Sequence, residues 1–218
     1  MKISKQTLEV LKNFATVNTN ILVREGSTLS TISTGKNIFA RAEVSESFPK
    51  EFAIYDLNSL LSLLTLMEDT DVEFGDESLV VTKANSRFEY FYADPNIIVS
   101  APDKSIEVDT FFQFDLTKDD VDMILKAAAI TAGPMLSVVG DNGEVVISVG
   151  DPSTPKSNSF RQAIGTTDKT FDAKLAMENF KVIPGGYSVI LSQKKFMHLE
   201  SSKGDLKYWL ALERSSDI

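Results

Sequence analysis

The stretch that decides the fold, Ser4–Ala15, reads SKQTLEVLKNFA. Leu8, Leu11 and Ala15 recur at i, i+3 and i+7, which places them on one face of a helix. Ser4 stands where a residue that caps the first turn is expected. The chain is therefore predicted to open with an amphipathic helix.

A second stretch with a similar pattern, Leu116–Ala128, reads LTKDDVDMILKAA. Thr117 can cap this helix, and Asp120 completes a capping-box pattern with Asp in place of the usual Glu. Both stretches open with a hydroxyl residue, Lys, two polar residues, an apolar residue, an acid and an apolar residue. The match indicates an internal repeat, although amphipathic helices of any origin share much of this pattern.

Runs of β-branched and aromatic residues follow each opening helix. The first half contains a second predicted helix at Asp56–Leu64, and the second half one at Ala173–Lys181. Residues 136–149 form a predicted hairpin whose Asn142-Gly143 turn suits positive φ values. We therefore predict an α+β fold of two similar domains, each with two helices packed on antiparallel sheets.

Prolines mark the boundary between the two halves. Pro95 and Pro102 disfavour a central strand and indicate a linker at about residues 93–107. The predicted domains are an N-terminal domain of residues 1–107, which includes this linker, and a C-terminal domain of residues 108–218.

Composition limits the classes of function. The net charge is −9, which argues against a protein that grips phosphates over its outer surface. There is no cysteine, so disulfides and thiolate metal sites are excluded. No apolar run approaches the roughly 20 residues of a membrane span, and no secretory signal is evident. We expect an intracellular protein without a membrane partner.

Few residues offer catalytic chemistry. His198 is the only histidine, and a lone histidine in a strand seldom acts as a general base. Asp119, Asp120 and Asp122 are better explained as acids that favour a helix N-terminus. Residues 141–144 lack the remaining ligands of a calcium loop. We predict no enzyme activity, no catalytic residue, no metal site and no cofactor.

Several segments, taken in order, resemble the DNA sliding clamps of T-even-type bacteriophages. The similarity is strongest in the first third of the chain and continues in layout through the rest. The segments that carry it are Met1–Lys5, Leu11–Thr16, Ala53–Asn58, Ala93–Pro95, Ala101-Pro102 with Lys104, Lys181 with Pro184-Gly185 and Tyr187, and Ala211–Glu213.

This resemblance implies a DNA clamp fold that assembles head to tail into a closed homotrimeric ring. Double-stranded DNA would pass through the hole, and the ring would tether the replicative DNA polymerase. An ATP-driven clamp loader would load it, and late transcription factors would be further partners. The implied location is the cytoplasm of the infected bacterial host.

The resemblance also implies two groups of site residues. Helices line the hole in this family, which predicts DNA-facing lysines at Lys5, Lys12, Lys118, Lys126 and Lys181. Partner peptides bind near the linker and the last strand, which predicts partner contacts at Ile97, Ile98, Val99, Tyr208, Trp209 and Leu210. Ordinary solvated lysines and strand packing are the alternative explanations. The competing function is a virion structural or scaffolding protein, which would also be acidic, rich in strands and self-assembling.

Overall fold

The structure, a computed structural model, describes residues 1–67, 69–104, 106–154 and 156–218. The chain divides into two compact units, Met1–Lys104 and Ser105–Ile218. Each unit combines helix with antiparallel sheet, as the α+β prediction requires.

Among the residues that the structure describes, the first unit has helices α1 and α2 and seven strands. Strand β1 pairs with β4, β2 pairs with β3, and a three-stranded sheet has the order β5-β6-β7. The elements are α1 Lys5–Val17, β1 Ile21–Val23, β2 Gly26–Ile32, β3 Ile38–Phe48, β4 Phe52–Ile54, α2 Leu57–Leu66, β5 Val72–Phe74, β6 Ser78–Lys83, β7 Ser86–Phe91 and a 3-10 turn at Pro95–Ile97.

The second unit contains helix α3 and eight strands. One sheet has the order β11-β10-β9-β12, and β8, β13, β14 and β15 pair in the order β15-β14-β13-β8. The elements are β8 Phe112–Leu116, α3 Lys118–Thr131, β9 Met135–Asp141, β10 Glu144–Gly150, β11 Phe160–Thr166, β12 Phe171–Ala176, a 3-10 turn at Met177–Asn179, β13 Tyr187–Ser192, β14 Phe196–Ser201 and β15 Leu206–Ala211.

The predicted helix starts are confirmed. The Ser4 side chain accepts a hydrogen bond from the Thr7 N–H at 3.1 Å. At α3, Thr117 and Asp120 exchange both hydrogen bonds of a capping box. The Asn142-Gly143 turn is also present, with φ values of 50° and 86°. These features depend on residues close together in sequence, which is why the pattern alone located them.

The predicted helix at Ala173–Lys181 is wrong. Residues 171–176 form β12, and only the single 3-10 turn at Met177–Asn179 is helical. Phe171, Ala173 and Leu175 are buried and alternate with less buried neighbours, which is the period of a strand. Within the described residues, the second unit therefore has one α-helix, and only the first unit has the predicted two.

A buried carboxylate fixes the start of α1 to β3. Glu46 is only 7% exposed and accepts hydrogen bonds from the Ser4 N–H and the Thr7 hydroxyl. Burial acts to raise the pKa of Glu46, but the hydrogen bonds from Thr7 and Ser4 outweigh it and hold the pKa below its ordinary value. Glu46 is therefore ionised at neutral pH and orients the first turn of α1.

Replacing this carboxylate should destabilise the protein in a pH-dependent way. We expect Glu46→Gln to lower the free energy of unfolding at pH 7 by about 2 kcal/mol, because hydrogen bonds to a charged group are lost. The folded-state pKa is depressed, so this stabilisation is present above the ordinary pKa of 4.5 and is lost as the pH falls through the folded value. Urea unfolding at pH 7 and pH 3 measures both effects.

The exposed Glu43→Gln, on the same strand, is the matched control and should stay close to the parent. Equal stability of Glu46→Gln and the parent at pH 7 would contradict the anchoring role of Glu46.

Candidate nucleic-acid interface

One line of solvent-exposed side chains runs along α1. Lys5, Glu9, Lys12 and Thr16 are exposed and spaced by four, three and four residues, so they share one face. The opposite face contains buried Val10, Leu11 and Phe14, among others. The exposed line therefore carries two positive charges and one negative charge.

Helix α2 places polar, uncharged groups beside Lys12. Lys12 lines an open groove together with Asn58, Ser62 and Thr65 of α2. The α2 segment contains no charged residue. Amide and hydroxyl groups can hydrogen-bond phosphate oxygens without holding a polyanion tightly. This polar row was not predicted from the sequence, because no charged residue marks it as a DNA contact.

Lys5 lies at the other end of the same helix pair. It lines a smaller pocket with Leu64, Met67 and Asp69, so the start of α1 is next to the end of α2. The helices are therefore antiparallel, and both lysines lie where α1 borders α2. The structure brings together the two predicted lysines of the first unit.

The lysines of α3 have acidic neighbours. Lys118 forms an ion pair with Asp122 at 2.7 Å, and this hydrogen bond and charge raise the pKa of Lys118. Lys126 is exposed, and its charge contributes to lowering the pKa of Asp122, which the hydrogen bond from Lys118 lowers most. With Asp119 and Asp120 in the first turn, α3 carries a net charge of −1. The side chains of this helix therefore provide no net positive charge to attract DNA.

Lys181 is not at the end of a helix. It follows the 3-10 turn at Met177–Asn179 in irregular backbone and is partly buried. Lys181 was predicted to face DNA because it was expected at the end of a helix. Residues 171–176 form a strand instead, so the prediction for Lys181 loses its structural basis.

The predicted partner residues of the linker differ in exposure. Ile97 is 63% and Val99 is 37% exposed, whereas Ile98 is buried in a cluster with Leu22 and Ala53. The Asn18 side-chain amide donates to the Val99 carbonyl at 3.1 Å. Ile98 therefore anchors the segment, and its two neighbours face solvent.

The predicted partner residues of β15 are buried. Tyr208 and Leu210 have no exposed surface, and Trp209 is 7% exposed with its ring 4.6 Å from that of His198. The Tyr208 hydroxyl accepts a hydrogen bond from the Ile183 N–H at 3.1 Å. These three side chains pack within the protein, and their part in partner binding stays a prediction.

The only histidine in the sequence, His198, is buried and contacts the backbone of the protein. The His198 ring nitrogen Nδ1 lies 3.0 Å from the Tyr208 carbonyl oxygen, and burial lowers the pKa of His198. In the described part of the chain, no three side chains of the kind that bind metals are grouped together. Nor does any helix described there have the length and apolar character needed to cross a membrane.

Comparison with known proteins shows similarity at the levels of sequence and fold. The model of the family described as DNA polymerase processivity factor matches residues 3–100. The sliding clamp of Vibrio phage KVP40 is 29% identical over 98% of this chain and 99% of its own length. The sliding clamp of Enterobacteria phage T4 is also 29% identical, over 99% of this chain and 98% of its own length.

Solved structures with low sequence identity share the fold. The proliferating cellular nuclear antigen of Entamoeba histolytica has a TM-score of 0.68 and 16% identity, with 94% of each chain covered. The DNA polymerase III subunit beta of Pseudomonas aeruginosa has the same TM-score and 14% identity. The match covers 97% of this chain and 63% of that subunit.

These matches confirm the resemblance to phage sliding clamps and the clamp fold. They also confirm the prediction that the protein is not an enzyme, because sliding clamps are non-enzymatic processivity factors. Over nearly its whole length the chain is similar to phage sliding clamps, and its residues 3–100 match the DNA polymerase processivity factor family.

Proposed function

We propose that this sliding clamp encircles duplex DNA as a closed homotrimer and tethers the replicative DNA polymerase. A clamp loader driven by ATP would place it on DNA in the cytoplasm of the infected bacterium, and it would also support late viral transcription. The observation that carries the DNA role is the α1–α2 face, where Lys12 lies beside the uncharged row of α2 and Lys5 is exposed on the same face of α1. The loader and the transcription role follow from the resemblance alone.

The charge distribution suits encirclement better than surface binding. A chain with a net charge of −9 repels nucleic acid at a distance, and its few exposed lysines give only weak phosphate contacts. A ring needs no tight contact, since topology keeps it on DNA, and tight contacts would slow its sliding. An acidic net charge with a small basic face is therefore compatible with an encircling protein.

An unpaired sheet edge in the first unit offers one half of a subunit contact. Among the described residues, β7 is the outermost strand of its sheet and pairs only with β6. Phe91 on this strand is 65% exposed. The Tyr90 hydroxyl donates to the Asp56 carbonyl at 2.9 Å, which ties β7 to the start of α2. An exposed edge with an aromatic side chain is a ready template for another strand.

The second unit offers an edge of similar construction. In the described residues, β11 is outermost in its sheet and pairs only with β10. Gln162 of β11 donates to Asp120 at 2.5 Å, which ties this strand to the start of α3. Ile130 near the end of α3 is 79% exposed, and Met123 is 49% exposed.

Two different edges favour a head-to-tail assembly. If β7 of one copy pairs with β11 of the next, each copy uses both edges, and the contact closes into a ring when the rotation permits. Three copies of the 24.0 kDa chain give about 72 kDa. Closure would also cover the two strand edges, and we propose that the exposed side chains of Phe91, Met123 and Ile130 lie in the same contact.

Primer extension tests the tethering role. The reaction contains the polymerase and loader of the same virus, a primed single-stranded circle and an excess of unlabelled competitor primer. Addition of this protein should lengthen the products that the polymerase makes in one binding event at least about tenfold. Products of unchanged length would contradict the proposed function.

A further inference from the structure

A row of polar side chains crosses the sheet β11-β10-β9-β12. Lys174 pairs with Ser137, Ser137 with Ser148, and Ser148 with Arg161, so the four stand in register on neighbouring strands. Side chains in register on adjacent strands share one face and lie close together. Ser137, Ser148 and Arg161 form the floor of an open pocket of about 320 Å³.

A loop stabilised by its own hydrogen bonds forms the wall of this pocket. The Asp151 carboxylate accepts from the Ser153 N–H at 2.9 Å, the Ser153 hydroxyl at 2.6 Å and the Thr154 hydroxyl at 2.6 Å. The hydrogen bonds from Ser153 and Thr154 lower the pKa of Asp151. The negative charge of Asp151 is thus already satisfied within the loop, which places Lys156 at the pocket.

Two cations in this pocket have no acidic partner. Within the described residues, neither Arg161 nor Lys156 forms an ion pair, whereas Lys174 pairs with Asp172 at 3.0 Å. The side chains of Ser137 and Ser148 line the same pocket and add two hydroxyl groups to it. With Asp151 counted, the pocket carries a net charge of +1 on a chain whose net charge is −9.

We propose that this pocket binds an acidic peptide segment of a protein partner, with a carboxylate held by Arg161 and Lys156. The planar guanidinium of Arg161 presents paired donors that match a carboxylate, and the two serine hydroxyls add donors beside it. The site is separate from the α1–α2 face of the proposed DNA interface. It also differs in chemistry from the apolar partner surface predicted around Ile97 and Val99.

Nucleic acid fits this pocket less well than a peptide. A duplex carries a charge every 1.7 Å or so, and an acidic surface with a single local positive charge cannot offset it. Single-stranded nucleic acid is usually held by aromatic side chains that stack on bases, and the residues that line the pocket include no aromatic ring. A short run of carboxylates needs only the few donors present.

Fluorescence anisotropy with three labelled probes tests this proposal on the full-length protein. The probes are hexaglutamate, hexaglutamine and a hexamer of deoxythymidine, all in low salt. The test variant combines Lys156→Gln with Arg161→Gln. The control combines Lys203→Gln with Arg214→Gln, which remove the same charges from exposed positions of the same unit.

Hexaglutamate should bind more tightly than hexaglutamine, and the test variant should weaken its binding at least about tenfold, as expected when charge-assisted hydrogen bonds are lost. The control should change it less than about twofold, and added inorganic phosphate should compete. Equal weakening by both variants, or no hexaglutamate binding at millimolar protein, would overturn the proposal. Binding of the deoxythymidine hexamer alone, with the same dependence on Lys156 and Arg161, would overturn the peptide assignment.

Discussion

Ile130→Asp should convert the proposed trimer into a folded monomer. The expected mass falls from about 72 kDa to 24.0 kDa, because the new carboxylate would have to be buried without a partner in every subunit contact. Burying an unpaired charge costs several kcal/mol, which is enough to dissociate a small interface. Ile130 is 79% exposed in the single chain, so the fold itself should be unaffected.

Sedimentation velocity measures the mass, and circular dichroism checks the fold. The matched control is Ile97→Asp, which makes the same replacement at a residue that is 63% exposed but lies in the linker. It should remain a trimer. A trimer of Ile130→Asp at micromolar concentration would exclude α3 from the subunit contact.

A second monomeric variant makes the head-to-tail arrangement testable. Phe91→Asp should damage the β7 edge and leave β11 and α3 intact, whereas Ile130→Asp does the reverse. Mixed at high concentration, the two variants share one intact contact and should form a dimer of about 48 kDa, twice 24.0 kDa. A mixture that stays monomeric at every concentration tested would contradict the pairing of β7 with β11.

Reversing Lys5 and Lys12 together should impair the action on DNA without opening the ring. The Lys5→Glu, Lys12→Glu double variant turns a line with two positive charges into one that is acidic along α1. Because phosphate contacts scale with the number of cations, we expect loading to fall on the order of tenfold or more at moderate salt. Both side chains are exposed, so stability and mass should not change.

Loader-dependent retention on nicked circular DNA measures this effect. The control reverses Lys36 and Lys203, which are exposed and lie outside the helices, between β2 and β3 and between β14 and β15. It should load like the parent. If both double variants load equally well, Lys5 and Lys12 are only part of the solvated surface.

Local sequence signals were enough to predict all three α-helices and most strands. The Thr117–Asp120 capping box and the Asn142-Gly143 turn depend on neighbours in sequence and formed as predicted. Strand β8 was not predicted, and most of β12 was predicted as a helix. Strands β2 and β11 were also missed, because β2 is rich in Ser and Thr and β11 contains Arg161, Gln162 and Gly165. Their strand state comes from pairing with β3 and β10, which are separate segments of the chain.

The functional residues were harder to predict, because exposure depends on what packs against a strand. Tyr208, Trp209 and Leu210 were predicted as partner contacts, with strand packing as the alternative, and all three side chains are buried, Trp209 with its ring against that of His198. The polar row of α2 has no charge to mark it, and it became visible only beside Lys12. The pocket at Arg161 joins three strands and a loop, so no short motif encodes it.

Encirclement is tested most directly by comparing closed and open-ended DNA. With loader and ATP, the protein is loaded on nicked circular DNA, the sample is gel-filtered, and half of it is then cut once with a restriction enzyme. A ring should stay on the circle and leave the linear form through its ends, so the bound fraction should fall at least about tenfold after cutting. Equal retention on circular and linear DNA would show that surface contacts, not topology, hold the protein.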